Sequence, residues 1–260
     1  MSALTTHRLC VGHGDRTVVA DAELTFAPGR CTAIVGANGS GKSTLLRTVA
    51  GLAAPLGGHV QLGDRDLGSL RARELARHLA FLPQAPLVPA GITVAELVAL
   101  GRHPHRRLLG APSAGDDAAV AEAMAQTGLE DLAERPVDQL SGGERQRVWI
   151  AVALAQQAPV LLLDEPTTFL DIRHQLEVLA LARRLCDEGG RTVVAVLHDL
   201  NQAAAFSDQL VVLGGGRILA QGPPGDVLSA DLLAEAFGVH AEVHLDDDAR
   251  PTCRFHAALV

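Results

Sequence analysis

The chain has 260 residues, which suits one large domain or a core that carries an inserted subdomain. Hydrophobic residues make up 48% of it, enough for a substantial core, and 22 basic against 30 acidic residues leave a formal charge of −8, which argues against a protein that coats nucleic acid. Apolar runs stop short of the ~20 residues of a membrane span, the N-terminus has no secretory pattern, and Cys10, Cys31, Cys186 and Cys253 are scattered without a C-x-x-C pair, so reduced thiols in a cytosolic protein are expected, one that reaches a membrane only by docking on a partner.

In chain order, residues 21–26 alternate, with Ala22, Leu24 and Phe26 on one face, the period of a half-buried strand. Pro28-Gly29 marks a turn, and residues 31–35 are a short β-prone run that enters Gly36. After Gly41 the chain turns helical, with Leu45, Leu46 and Val49 on one side and Gly51 as a stop. Residues 57–67 read as a hairpin or loop, 72–79 as a short helix and 81–84 as a brief strand. From 86 to 158 the character is alanine-rich and helical, with helices expected at 93–100, 116–127 and 144–157, so this stretch reads as an inserted helical subdomain. Strand signals return at 160–163, 192–197 and 210–213 around a helix at 172–186, whose Ile172, Leu176 and Leu179 fall at helical spacing. Strands alternating with helices predict an α/β fold with a mostly parallel sheet. The core is expected at 1–85 and 159–238, and 239–260, with Asp246-Asp247-Asp248, as a loosely held tail.

Three clusters carry chemistry. Gly36-Ala37-Asn38-Gly39-Ser40-Gly41-Lys42-Ser43-Thr44 fits G-x-x-x-x-G-K-[ST] between a strand and a helix. Phosphate oxygens need convergent backbone N–H donors, the glycines let the chain curl around them, and the helix aims its positive end at the same place. Lys42 is the mobile cation for the outer phosphates, and the Ser43 hydroxyl is placed to ligate magnesium. The apolar run Leu161-Leu162-Leu163 ends in Asp164-Glu165, a magnesium-holding carboxylate followed by a general base for an attacking water. Ser141-Gly142-Gly143 opens a further helix with a hydroxyl and exposed N–H groups, a second phosphate-type start.

Leu140-Ser141-Gly142-Gly143-Glu144-Arg145-Gln146-Arg147 resembles the signature motif of ABC ATPases, and the order of phosphate loop, Gln84, signature, Asp164-Glu165 and His198 is that family's order. The resemblance runs from about Leu9 to Gly238. It implies the P-loop ABC ATPase fold, with an antiparallel N-terminal β-subdomain, a parallel core and a helical insertion; ATP and Mg2+ as cofactors; Gln84 as the Q-loop glutamine; Leu170-Asp171 as the D-loop; and His198 as the switch histidine at the γ-phosphate. It also implies a homodimer in which each copy's signature caps the other's ATP. One position departs: the family's aromatic platform for adenine is here His13, in a chain without tyrosine, so weak preference for ATP over GTP is expected.

Phe81-Leu82-Pro83-Gln84, Gly91-Ile92-Thr93-Val94-Ala95-Glu96-Leu97-Val98 and Gly101-Arg102-His103-Pro104 look like the ATPases of importers for ferric siderophores, haem and vitamin B12, ferric siderophore and ferric citrate systems above all. That resemblance implies permease partners contacted through residues 87–105, a substrate-binding protein acting indirectly, and a place on the cytoplasmic face of the membrane. A haem or cobalamin importer, a soluble non-transport ABC protein and an exporter subunit are the alternatives. Eleven histidines are expected to be surface groups rather than a dedicated metal site.

Overall fold

The computed structural model describes residues 2–259 except 85, 87, 89, 107–112 and 248. In chain order its strands and helices are β1 (Leu4–His13), β2 (Arg16–Phe26), β3 (Cys31–Gly36), α1 (Lys42–Val49), β4 (Gly57–Leu62), β5 (Arg65–Asp66), α2 (Ala72–His78), β6 (Leu79–Leu82), α3 (Val94–Leu100), α4 (Ala114–Thr127) and α5 (Gly142–Ala155). They continue as β7 (Val160–Asp164), α6 (Ile172–Asp187), β8 (Thr192–Val196), α7 (Leu200–Phe206), β9 (Gln209–Gly214), β10 (Arg217–Gly222), α8 (Pro224–Val227), α9 (Ala230–Phe237), β11 (Val239–Leu245) and β12 (Pro251–Ala258). The chain divides into two compact units, Met1–Leu70 with Ala182–Val260, and Arg71–Leu181.

In the first unit β3 pairs in parallel with both β8 and β9, and β10 adds antiparallel to β9. β3 and β8 are buried at every position, as expected of parallel strands covered on both faces. Leu45, Leu46 and Val49 of α1 are fully buried. The N-terminal strands form an antiparallel sheet in the order β2-β1-β4-β5. β2 shows the expected alternation, with Ala22, Leu24 and Phe26 inside.

The end of this unit differs from the loose tail expected for 239–260. β11 and β12 form an antiparallel hairpin from Val239↔Ala258 to Leu245↔Pro251. It is clasped by Asn201 of α7, whose amide accepts from Cys253 N–H at 2.7 Å and donates to Cys253 O at 3.1 Å. Asp246 is a turn residue: its backbone N–H and its carboxylate both bond Arg250. Asp248 lies outside the described residues. The period-2 pattern of Val239, Ala241, Val243 and Leu245 is the strand signal, masked by the histidines and glutamate between them.

In the second unit β6 and β7 run parallel, from Leu79↔Val160 to Leu82↔Leu163. α3, α4 and α5 pack on one another, and α5 also contacts β6. Thr93, Ser113 and Ser141 close the N-termini of these three helices with capping boxes, which is why each starts where it does. This unit is wider than the expected 86–158, because β6 and β7 cluster with the helices. The helical spacing of Ile172, Leu176 and Leu179 does not mark one buried face. Ile172 is 73% and Leu176 43% exposed, and burial begins at Val178 and Leu179.

Candidate functional site

β3 delivers the chain into the glycine-rich loop. A side chain at Gly36 would come within 2.5 Å of Leu213 O and 2.8 Å of Ser40 Oγ, so only glycine lets the loop leave the sheet here. Gly41, at φ +98°, is the N-cap of α1 and offers no side chain to the first turn. The helices α3, α4, α5, α7 and α9 are all closed by a serine, threonine or aspartate side chain. α1 therefore presents N–H groups without a side-chain cap, and no acidic residue lies in its first turn. Lys42 is 5% exposed, and its Nζ donates to Gly36 O at 2.9 Å and Ala37 O at 3.0 Å, which holds the ammonium inside the loop. Ser40 Oγ is buried without a hydrogen-bond partner. An uncapped helix start, a buried ammonium and an orphaned hydroxyl converging on one loop fit the phosphates of a nucleotide and do not fit an apolar ligand.

The loop forms one side of a cavity of about 550 Å³. Gly39, Gly41, Lys42, Ser43 and Thr44 line it, and on the other side His13, Arg16, Thr17 and Val18 of the β1–β2 ribbon. His13 Nε2 lies 3.1 Å from Thr44 Oγ1, so the ring is tied to the first turn of α1. His198 leaves the same edge. The parallel pairing of β3 with β8 sets Ile34 opposite Val196, and Leu197 N–H bonds Ile34 O, so Gly36 and His198 each stand two residues beyond a paired position. His198 is exposed, and Asp199 behind it caps α7. The first unit thus brings together residues 36–44, His13 and His198.

The second unit gathers the others by the same device. β6 and β7 pair up to Leu82↔Leu163, so Gln84 and Glu165 both lie two residues past the last pair. Gln84 Nε2 donates to Glu165 Oε2 at 2.5 Å, and Thr168 Oγ1 donates to the same oxygen at 3.0 Å. Asp164, at the tip of β7, is 3% exposed. Glu165 (φ 53°) and Phe169 (φ 64°) both hold left-handed backbone that costs a non-glycine residue about 1–2 kcal/mol.

Ser141 caps α5, and Glu144 Oε2 accepts from its N–H at 2.8 Å and its hydroxyl at 2.7 Å. These bonds, the hydroxyl's first and the N–H's second, hold the Glu144 carboxyl below the usual glutamate range. Gly142 has open space around it, while a side chain at Gly143 would strike the His174 ring at 2.4 Å. That ring is held by Asp171, whose Oδ1 lies 2.7 Å from His174 Nδ1 and accepts from His174 N–H at 2.9 Å. Arg16, Thr168 and His174 were not singled out as site residues from the sequence. The signal for Arg16 is its position across a two-residue turn from His13, and for His174 it is the third helical place after Asp171.

Comparison with known proteins gives this arrangement a family. The ABC transporter family profile matches residues 19–168. The iron(3+)-hydroxamate import ATP-binding protein FhuC of Bacillus subtilis (strain 168) is 42% identical over 97% of this chain and 94% of its own length. The ferric enterobactin transport ATP-binding protein FepC of Escherichia coli (strain K12) is 44% identical over 97% of this chain and 93% of its own length. Among solved structures, a dimeric ATP-binding cassette in a post-hydrolysis state bound to ADP and Pi superposes with a TM-score of 0.74 at 30% identity, covering 85% of this chain and 98% of that one. With its phosphate-type loop, paired strand-end acids and capped signature helix, the chain belongs to the ABC transporter family as one of its ATP-binding subunits.

Proposed function

We propose that this chain is the magnesium-dependent ATPase of an importer for ferric siderophore-type chelates, and that it works as a homodimer beneath membrane permease subunits fed by a substrate-binding protein. The observation that carries the cargo class is the 42–44% identity, across nearly the full chain, to ATP-binding subunits named for ferric hydroxamate and ferric enterobactin uptake. Among the described residues no helix is long and apolar enough to cross a membrane, and the working place belonging to this reading is the cytoplasmic face of a permease. Contact with the permease is assigned to residues 87–105; Leu87 and Pro89 lie outside the described residues, and within the rest Leu100 is 50% exposed at the end of α3.

In this reading the uncapped start of α1 and the Ser40 hydroxyl hold the phosphates, and Lys42 exchanges its two carbonyl partners for phosphate oxygens. Magnesium supplies charge neutralisation on the phosphates, and Ser43, Gln84 and Asp164 are the residues that would hold it. Glu165, whose Oε2 accepts from Gln84 and Thr168, takes a proton from the attacking water. His198 orients the terminal phosphate. Ser141, Gly142 and Gly143 of a second copy complete the site from outside, and the open space at Gly142 leaves room for that.

The test uses the chain purified with its copurifying membrane subunits in vesicles. ATP-driven uptake of a labelled ferric siderophore is expected, and Glu165→Gln should abolish it while ATP still binds. Uptake of haem or cobalamin but not of ferric chelates would overturn the cargo class. Rapid ATP turnover by the Glu165→Gln variant would overturn the assignment of the base.

A further inference from the structure

The cavity wall contributed by the β1–β2 ribbon carries a cation that the reading above leaves idle. Arg16 lies directly across the two-residue turn Gly14-Asp15 from His13, and the two are partners in the strand register. Directly opposed residues of an antiparallel ribbon project on the same face, so the guanidinium and the imidazole stand side by side. Both line the cavity that holds Lys42, and among the described residues no carboxylate lines it. Asp15, in the turn, is not part of that lining, and among the described residues Arg16 has no ion-pair partner. An arginine left without a counter-ion on the wall of a cationic cavity is placed for a ligand.

Its position along the cavity says which part of the ligand. Lys42 is held against Gly36 and Ala37, at the entrance of the loop. Thr44 lies two residues further into α1, and His13 is tied to Thr44. Arg16 stands beside His13, on the ribbon rather than on the loop, so the pair faces the part of the ligand that extends past the phosphates. The cavity volume falls within the ~300–1,000 Å³ that suits a ligand of nucleotide size. What extends beyond the phosphates in such a ligand is the sugar and the base. A guanidinium plane stacks on a purine face whatever its substituents, and its N–H groups suit the O6 and N7 of guanine at least as well as the N7 of adenine.

We propose that Arg16 is a nucleotide-binding residue whose guanidinium lies along the purine base beside the His13 ring, and that this pair accepts adenine and guanine alike. The proposal rests on the nucleotide-binding reading of the phosphate loop and adds the specificity of its far end. A base platform made of a guanidinium and an imidazole ring gains its affinity from the π-face, not from a pattern of donors and acceptors.

Equilibrium binding of Mg-ATP, Mg-GTP and Mg-tripolyphosphate to the full chain tests this, with Arg16→Ala, Arg16→Lys and Lys42→Ala compared after their melting curves are matched to the parent. The parent should bind ATP and GTP within about threefold of one another. Arg16→Ala should weaken both by about fivefold or more, the size of one partly exposed stacking contact, and leave tripolyphosphate within about twofold. Arg16→Lys should keep the charge but lose most of the stacking, and so fall nearer to Arg16→Ala than to the parent. A smaller loss in Arg16→Ala, an equal loss for tripolyphosphate, or a preference for ATP beyond about threefold would overturn the proposal. Should the parent bind none of the three, or should Lys42→Ala leave tripolyphosphate binding intact, the nucleotide-binding reading itself fails, which is a different result.

Discussion

Glu165, the base proposed above, is held by two hydrogen bonds. Its Oε2 accepts from both Gln84 and Thr168, so the carboxylate is held in place before any water arrives. Removing the hydroxyl in Thr168→Val should lower the ATP turnover number by about tenfold, the loss of one bond to a charged group, with ATP affinity within twofold; Thr168→Ser, which keeps the hydroxyl, should restore it. Steady-state ATPase measurements check both variants. Glu144 makes a second residue-scale test. Its carboxylate occupies the start of α5, where the reading above places a partner's phosphate. Glutamine keeps the capping box but removes the charge, so Glu144→Gln in a Glu165→Gln background should lower the ATP concentration for half-maximal dimerisation, measured by sedimentation. The residues proposed for catalysis could be read from the sequence because phosphate calls for N–H donors, and magnesium for oxygen ligands, at fixed spacing, as in residues 36–44 and 164–165. Arg16 and Thr168 were not, because their roles follow from strand register and from a side-chain bond that no local pattern announces.

At the scale of the element, capping and pairing decide what is firm. Asp116 in the α4 capping box is held far below the usual carboxylate range by the Ser113 backbone N–H first, then by Arg102 and the Ser113 hydroxyl. Arg102 also donates to Ala155 O and Gln157 Oε1, so this cluster ties the start of α4 to the end of α5. Because the folded value is depressed, the stability it contributes is full above the ordinary aspartate value near ~4 and is lost as pH falls through the lower folded value. Asp116→Asn should therefore lower the melting midpoint at neutral pH and flatten its decline in acid, as melting curves across pH would show. The hairpin β11–β12 has a comparable clasp in Asn201. Asn201→Ala removes two bonds and should cost about 1–3 kcal/mol, read as faster amide exchange at Cys253 with the ATPase rate unchanged. Most strands and helices could be read from periodicity and caps. The hairpin could not, since its turn is an acidic run that resembles a solvated tail.

For the whole molecule, the informative surface is the one that stays apolar. Phe169 is 91%, Ile172 73% and Leu176 43% exposed, together at the segment entering α6. Phe169 also holds left-handed backbone, a strained posture for an aromatic residue facing solvent. Read with the dimer proposed above, this patch is a candidate for cover by a second copy. Phe169→Asp should weaken ATP-dependent dimerisation by about tenfold or more in a Glu165→Gln background while the monomer melts as before, since an exposed side chain contributes little to folding. Helical spacing in the sequence pointed to an apolar side for α6. Whether that side meets the chain's own core or another molecule is a question of exposure, which periodicity does not carry.

The start of α1 has a consequence for the chain's endurance. A helix that begins on a glycine leaves its first N–H donors without a side-chain acceptor, and in the reading proposed above a nucleotide supplies those acceptors. The fold then borrows rigidity from the energy state of its surroundings: in nucleotide-depleted solution the glycine-rich bend should be the first place to breathe and to be nicked by protease, and resistance should climb with the logarithm of nucleotide concentration once the dissociation constant is passed.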